Sequence, residues 1–401
     1  MAALRKALQR VFTRIEPLPP GLYARKAAPD SPLPYRLHLR LEHDGRGVLL
    51  INAATILHLN PTAAEYAYHL VRGTPTEQVA STIAGRYRVA PEQAARDYAG
   101  FIDSVETLFL DPDRAPVSVE GLERQAPYSG TLSAPYRLDC ALTYREFESG
   151  TPGAQLEPAG RPATRELTTV EWQIILDKSW AAGIPHVIFT GGEPALRPDL
   201  PALLEHAEQL GMVTGLVTGG QRLAESAYLD ALLQAGLDHV MIVLNQEGVA
   251  PGDAGGELDL KALTGIIYWA ETLEARLHIV AHLTLTPANA TVMPEWLERL
   301  AGTGLHAISL SASQQNLKHA LRAARDRAAE FGLPLNWDLP VPYAEFNPVA
   351  LEMGDDEQAS GAGRAWLYVE PDGDVRPTPG ADRVLGNMLR DPWEQIWSSS
   401  K

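Results

Sequence analysis

Val187-Ile188-Phe189-Thr190-Gly191-Gly192-Glu193-Pro194-Ala195-Leu196-Arg197-Pro198-Asp199-Leu200 passes from an apolar run through two glycines and an acid into a proline and the head of an amphipathic segment. A short apolar run, then turn residues, then helical periodicity marks a strand feeding a helix. Gly191 and Gly192 let the backbone approach closely whatever lies at the strand's end. Glu193 sets an acceptor there, suited to an ammonium group, and Pro194 fixes the exit.

The same rhythm repeats on both sides. Strands are expected at Arg137–Thr143, His186–Thr190, Val213–Thr218, His239–Leu244, His278–Thr284, Ala307–Ser311 and Leu335–Leu339, with amphipathic helices between them. Thr168-Thr169-Val170-Glu171 reads as a capping box opening the first helix, which Gly183 closes. Asp199 is expected to cap the second helix and Gly211 to end it, and Gly236 ends the third. Repeated βα units require a parallel sheet with right-handed crossovers. The expected fold class is α/β, a partial (β/α)6 barrel with its site at the C-terminal ends of the strands. An open doubly wound sheet is the alternative.

Before residue 136 the pattern differs. Residues 1–34 hold many prolines and read as an arm, whose first stretch, Met1–Arg14, reads as a frayed basic helix. Tyr35–Glu42 alternates apolar and polar residues, and Val48–Asn52 and Thr55–Leu59 follow as two more strands. Helices are expected from Thr62, as N-cap, to Arg72, with Gly73 as its stop, and at Thr76–Tyr87 and Pro91–Leu110. Strands followed by helices indicate an N-terminal α+β, winged-helix-like domain at 35–112. A linker (113–135), the barrel (136–340) and a C-terminal β-hairpin extension (341–401) complete the expected organisation. That extension holds a hairpin around Pro371–Asp374 and a closing helix, Pro392–Trp397.

The chain has 401 residues, a net charge of −16 and a single cysteine, Cys140. The acidic balance argues against nucleic acid, which needs a basic footprint. No run approaches the roughly 20 apolar residues that span a bilayer, and no secretory signal opens the chain, so no membrane association and a cytoplasmic location are expected. One cysteine excludes intrachain disulfides and any metal site built from several thiolates. Cys140 itself reads as a small buried strand residue. His186, His239 and His306 stand at strand N-termini, away from the site, and His278 and His282 share one strand face. All five read as structural.

Arg137-Leu138-Asp139-Cys140-Ala141-Leu142-Thr143-Tyr144-Arg145, Glu166-Leu167-Thr168-Thr169, the Val187–Leu200 stretch and Gly215-Leu216-Val217-Thr218-Gly219-Gly220-Gln221-Arg222-Leu223 together resemble the radical S-adenosylmethionine (SAM) superfamily. The resemblance implies a barrel of radical SAM type, with a loop after its first strand that carries C-x3-C-x2-C, an iron–sulfur cluster on those cysteines, and SAM on the open iron. Glu146, Gly150 and Gly153 stand at the three cysteine positions, and Glu146–Arg165 contains neither cysteine nor histidine. Such clusters require thiolates, so no iron–sulfur cluster is expected. Ligation by Glu146 and Glu148 is the alternative. The cofactor-binding positions carried over are Gly191, Gly192, Glu193, Pro194, Thr218 and Asn245, with Asn289 and Ser311 secondary. Without iron to anchor its methionine, SAM is expected to bind weakly.

The stretch 362–377 and Leu385-Gly386-Asn387-Met388, with Asp391-Pro392-Trp393 and Ile396-Trp397, resemble the SPASM or twitch extension of peptide-modifying radical SAM enzymes. Ser360 and Thr378 stand where that extension has cluster cysteines. Through its strand and helix order and Leu57-His58-Leu59-Asn60-Pro61-Thr62-Ala63-Ala64, the N-terminal domain resembles PqqD-like peptide-recognition domains. That implies a leader peptide added to the sheet edge at Thr55, Ile56, Leu57, His58 and Leu59. The expected function is a cysteine-depleted pseudoenzyme that binds a precursor or leader peptide, or partners a cysteine-complete radical SAM protein. The alternatives are an enzyme reusing the SAM pocket for non-radical chemistry, with Glu146, Glu148 or Glu193 as acid or base, and a radical enzyme with unusual cluster ligands. No catalytic residue is assigned.

Overall fold

The computed structural model describes residues 16–28, 31, 35–53, 55–110, 122–123, 132–145, 165–244, 258–335, 361 and 363–400. It divides into two compact units, Met1–Ala126 and Pro127–Lys401.

In the first unit, strict alternation in Arg36–Leu41 (β2) sends Leu37, Leu39 and Leu41 into one core, where Leu49 and Ile51 of Gly47–Ile51 (β3) and Leu57 and Leu59 of Thr55–Leu59 (β4) join them. Helices α1 (Pro61–Arg72), α2 (Thr76–Tyr87) and α3 (Pro91–Leu110) supply Ala64, Tyr66, Val79, Ile83, Tyr98 and Phe101 to the same core. The cap of α1 is Asn60, not Thr62: its side chain accepts from Ala63 N at 2.9 Å. Pro61 at the first helical position moves the cap one residue ahead of it. Gly73 ends α1 in the left-handed region, φ 65°.

Two findings depart from the sequence expectation here. The segment read as an arm contains a strand, Gly21–Lys26 (β1), paired antiparallel with β2 from Gly21↔Leu41 to Lys26↔Arg36. As an edge strand flanked by Pro17, Pro19 and Pro20 it lacks the buried alternation that betrays an inner strand. The outer side of β4 is also engaged: Leu122–Glu123 (β5) pairs with Leu59 and His58, giving the order β1-β2-β3-β4-β5. The Met1–Arg14 helix falls outside the described residues.

In the second unit the parallel strands follow one another without reversal: β6 (Arg137–Thr143), β7 (His186–Gly191), β8 (Val213–Thr218), β9 (His239–Val243), β10 (His278–Leu285) and β11 (Ala307–Ala312). A doubly wound sheet reverses its order at a switch point. An unreversed order with right-handed crossovers keeps all helices on one face, as in a barrel. Those helices are α4 (Thr169–Ala181), α5 (Leu200–Leu210), α6 (Ser226–Gln234), α7 (Lys261–Thr272), α8 (Met293–Ala301) and α9 (Lys318–Glu330). The inner face shows in the cluster of Ile188, Val217, Met241, Val280 and Ala307, one residue from each of five successive strands. Leu335 bridges Ile308, but the remainder of the strand expected at Leu335–Leu339 lies outside the described residues.

The C-terminal hairpin extends this sheet. Trp366–Val369 (β12) pairs parallel with β6, and Asp374–Arg376 (β13) and Gly386–Asn387 (β14) follow antiparallel. The closing helix α10 (Trp393–Ser400) is held through Trp397, whose indole N–H donates to Leu132 O at 3.2 Å.

Candidate functional site

The glycine pair sits where β7 leaves the sheet, and its neighbour there is the chain itself. Gly192 N donates to Thr143 O and Glu193 N to Arg145 O, both at 2.7 Å. A Cβ on Gly191, whose φ is 117°, would lie 2.2 Å from Thr143 O, and one on Gly192 would lie 2.3 Å from Arg145 O. The absent side chains therefore make room for the backbone that follows β6.

Glu193 is buried, 5% exposed. Its carboxylate accepts from Thr218 Oγ1 at 2.7 and 2.8 Å, from Gly219 N at 2.9 Å and from Ala195 N at 3.0 Å. Burial pushes its pKa up, while the hydrogen bonds from Thr218, Ala195 and Gly219 and the nearby Arg222 charge pull it down. The acceptor expected for an ammonium group thus already receives three protein donors, the Thr218 hydroxyl and the Gly219 and Ala195 amides. Glu193 and Thr218 are brought together as a latch between the ends of β7 and β8. Arg222 donates to Ala195 O at 2.6 Å and lies over the Tyr228 ring at 3.9 Å, closing the same turn from outside.

Two residues that the sequence reading passed over organise the mouth. Arg197, 6% exposed, donates to Leu142 O at 3.2 Å and Leu167 O at 3.0 Å and forks onto Asp199 at 2.9 and 2.7 Å. Asp199 also accepts from Thr169 Oγ1 at 2.6 Å, so it serves this pair and makes no side-chain cap on α5. Glu166 accepts from Thr143 Oγ1 and from Arg145 at 3.3 Å. It thereby ties together the two described flanks of the stretch 146–164. The Arg-x-Asp spacing at 197–199 was the available signal; nothing local marked Glu166.

On the other side of β6, Tyr144 OH donates to Glu370, which also pairs with Arg376 Nε at 2.7 Å. Burial raises the pKa of Glu370 against the pull of Tyr144 and Arg376. Lys178 donates to the carbonyls of Met388 and Asp391, the latter at 3.0 Å, and binds α4 to the hairpin.

The secondary candidates are engaged locally. Asn289 donates to Thr284 O at 2.9 Å and accepts from Thr286 N at 2.8 Å. Ser311 meets His282 Nε2 at 3.2 Å, with Ser309 on Nδ1 at 3.1 Å. Burial holds His282 down to about 4. Thr378 lies in the described turn after β13. Glu146, Glu148, Gly150, Gly153, Asn245 and Ser360 lie outside the described residues.

Cys140 is buried. In register it faces Phe189, while its neighbour Asp139 faces Ile188 of the inner cluster. Alternation therefore turns the Cys140 thiol to the helix side of the sheet, where burial and then Asp139 raise its pKa well above the ordinary thiol value. Among the described residues, no group of three or more His, Cys, Asp or Glu side chains is placed to hold a metal ion. No helix among them is long and apolar enough to cross a membrane.

A parallel six-strand partial barrel with Gly-Gly-Glu-Pro at the mouth of its second strand defines a class of βα barrel proteins. Residues 143–246 match the family described as the radical SAM superfamily. The chain is 32% identical over 260 residues to the PqqA peptide cyclase of Streptomyces rochei, covering 59% of this chain and 68% of that protein. It is 29% identical over 257 residues to the PqqA peptide cyclase of Xanthomonas oryzae pv. oryzae (strain MAFF 311018), covering 59% and 67%. Streptococcus suis SuiB bound to precursor peptide SuiA is similar in fold, with a TM-score of 0.57 at 14% identity over 90% of this chain and 86% of that one. The chain belongs to the radical SAM superfamily.

Proposed function

We propose that this chain is a peptide-binding member of the superfamily that works without the iron–sulfur cluster, and hence without radical chemistry. The observation that carries the reading is the donor set. The whole chain holds one cysteine, Cys140, buried in β6 with its thiol on the helix side. A four-iron cluster needs several thiolates on one loop, and the residues present do not fit it, so no step is derived through it. The positions Glu146, Gly150 and Gly153 offer one carboxylate among them. SAM, if it enters, meets the backbone of Gly191, Gly192 and Pro194 and a Glu193 carboxylate already committed to Thr218. Weak binding follows.

A peptide ligand is supported by the names of the relatives, PqqA peptide cyclases, and by the SuiB structure, whose partner is a precursor peptide. The first unit, read as the PqqD-like recognition domain, supplies the surface. An extended peptide would pair with β4 at Thr55, Ile56 and Leu57 and replace Leu122–Glu123 against His58 and Leu59. A cysteine-complete radical SAM protein would then perform the chemistry on the presented peptide.

The test is anaerobic reconstitution with ferrous iron and sulfide, followed by metal and sulfide analysis. The reading expects no stoichiometric iron and no visible charge-transfer absorption. A full complement of iron and sulfide that survives desalting would overturn it and favour unusual cluster ligands. Calorimetry with SAM on the same sample addresses the non-radical alternative, which requires saturable heat that Glu193→Gln abolishes.

A further inference from the structure

The two edges of the first unit's sheet differ. β1 is blunted: Pro17, Pro19 and Pro20 precede it, Lys26 ends it, and the Tyr23 hydroxyl donates to Pro19 O at 2.8 Å. Proline and lysine are what natural edges carry against stray strands. β4, toward the other edge, reads Thr-Ile-Leu-His-Leu, with no proline, lysine or acid. A strand of that kind invites another beside it. The chain itself lies there, but only as β5: Leu122 pairs with Leu59 and Glu123 with His58. Among the described residues, no strand pairs with the outer side of Thr55, Ile56 and Leu57.

The sequence explains why this contact is short. Continued in the same antiparallel register, Arg124 would fall opposite Leu57, Gln125 opposite Ile56 and Ala126 opposite Thr55, just ahead of Pro127. Cross-strand pairs gain from aromatic and β-branched partners, and this run offers a charge, an amide and a methyl. In the other direction the register reaches Pro61, where the chain has already turned into α1. We infer that Leu122–Glu123 is a clasp: a weak resident strand on the β4 edge, displaced by an extended peptide that carries β-branched or aromatic residues where the chain has Arg124 and Gln125. The inference rests on the peptide-binding reading above and adds to it a gate and a preference. The gate follows from mass action. A segment of the same chain competes at an effective concentration in the millimolar range, and a site open for only a fraction of the time binds more weakly by that fraction. The clasp pairs with His58 and Leu59, whereas a longer strand pairs with all of Thr55–Leu59. It prevails through the added ladder bonds and side-chain pairs. A poorly matched peptide is thereby refused while a matching one is admitted.

The experiment uses the full-length protein and two fluorescein-labelled synthetic peptides, read by fluorescence anisotropy. One peptide carries residues 117–126 of this chain. The other carries the same residues with Arg124→Val and Gln125→Thr. The double substitution Leu122→Pro and Glu123→Pro opens the clasp, because proline removes the ladder donors. The open variant should bind the second peptide about tenfold tighter than the wild type does. Within the open variant, the second peptide should bind about fivefold tighter than the first. The pair Leu122→Gly and Glu123→Gly keeps the donors but raises the entropy lost on closing, so it should shift affinity the same way by less. It replaces the proline form if circular dichroism shows that form unfolded. Equal affinity of wild type and open variant for the second peptide would overturn the clasp and leave the peptide-binding reading standing. No preference between the two peptides would overturn the assigned selectivity. No binding of either peptide to the open variant at millimolar concentration would remove the β4 edge as a docking surface, and with it both the clasp and the peptide reading. The iron and sulfide analysis reads the missing cluster separately from all three outcomes.

Discussion

Gly192→Ala separates two uses of the glycine pair. If the glycines admit a ligand, the substitution should weaken ligand binding and leave the apo protein alone. If they admit the backbone after β6, as the contacts indicate, the apo protein itself should suffer. Gly192 is the cleaner position because its φ is not positive, whereas Gly191 at 117° would add backbone strain. The new methyl would begin 2.3 Å from Arg145 O, so the two segments must part by about an ångström. That breaks Gly192 N to Thr143 O and Glu193 N to Arg145 O, both 2.7 Å. Each is worth about 1 kcal/mol net, and overpacking adds about 1–3 kcal/mol. The expected loss is therefore about 3–5 kcal/mol from these terms. Urea unfolding followed by tryptophan fluorescence reads it directly, because every tryptophan from Trp172 to Trp397 lies in the second unit. A loss below about 1 kcal/mol, the size of one hydrogen bond, with SAM binding lost, would refute the backbone account and return the glycines to a ligand.

Thr218→Val removes the hydroxyl that meets both oxygens of Glu193 and leaves a buried acceptor short of a donor. A cost of about 1–3 kcal/mol is expected by the same fluorescence assay, and Thr218→Ser should restore most of it. His282 is 1% exposed and its folded pKa is about 4, against about 6.5 unfolded. Its contribution is complete above the unfolded value and is lost as pH falls toward the folded one, at about 1.4 kcal/mol per pH unit. His239 and His278, held down to about 3 and about 4, add slopes of the same sign. Urea midpoints at pH 7.5 and 5.0 should therefore show the wild type losing more than one histidine's worth of stability, and His282→Asn losing less by about one histidine's share. Asn60→Ala removes the α1 cap and should cost the first unit about 1 kcal/mol, whereas Thr62→Ala should cost less. Amide exchange at Ala63 and Ala64 distinguishes them.

The barrel was legible in the sequence because each strand is a short apolar run and the first three barrel helices carry capping or stop residues. The capping box at Thr168–Glu171 forms as read, with Thr168 N to Glu171 at 2.9 Å, and Gly211 ends α5 at φ 93°. The errors share a cause: local grammar cannot say which partner a polar group will choose. Asp199 has the spacing of a cap but lies beside Arg197, whose fork holds it more strongly than a backbone N–H would. For Glu193, read as a ligand acceptor, local sequence likewise does not show that β8 brings Thr218 and Gly219 to it from 25 residues away or more. β1 was missed because an edge strand solvated on one side shows little periodicity, and β5 because two residues carry none.

The same ties bear on why a chain of this superfamily could keep its barrel without cluster chemistry. A cluster loop returns the chain from the first strand to the first helix through its metal ligands. Here the described roots of that stretch are joined by side chains: Glu166 to Thr143 and Arg145, and Arg197 to Leu142 and Leu167. The hairpin is likewise fixed to the barrel by Tyr144 and Arg376 on Glu370, by Lys178 on the Met388 and Asp391 carbonyls, and by Leu167 N on Pro371 O at 2.8 Å. Charged hydrogen bonds cost more to break than neutral ones, and those of Arg197 to Leu142 and Leu167 are buried. On the proposed reading, stability has moved from metal ligation to this polar belt. Substitution of Arg197 should then unfold the mouth of the barrel, while chelator treatment should leave it intact. Arg197→Met keeps the buried length but leaves the partly buried Asp199 with Thr169 alone and removes the donors to Leu142 O and Leu167 O, and a cost of about 1–3 kcal/mol is expected. A chelator-sensitive midpoint in the wild type, or an Arg197→Met protein as stable as its parent, would show that the belt does not hold the barrel.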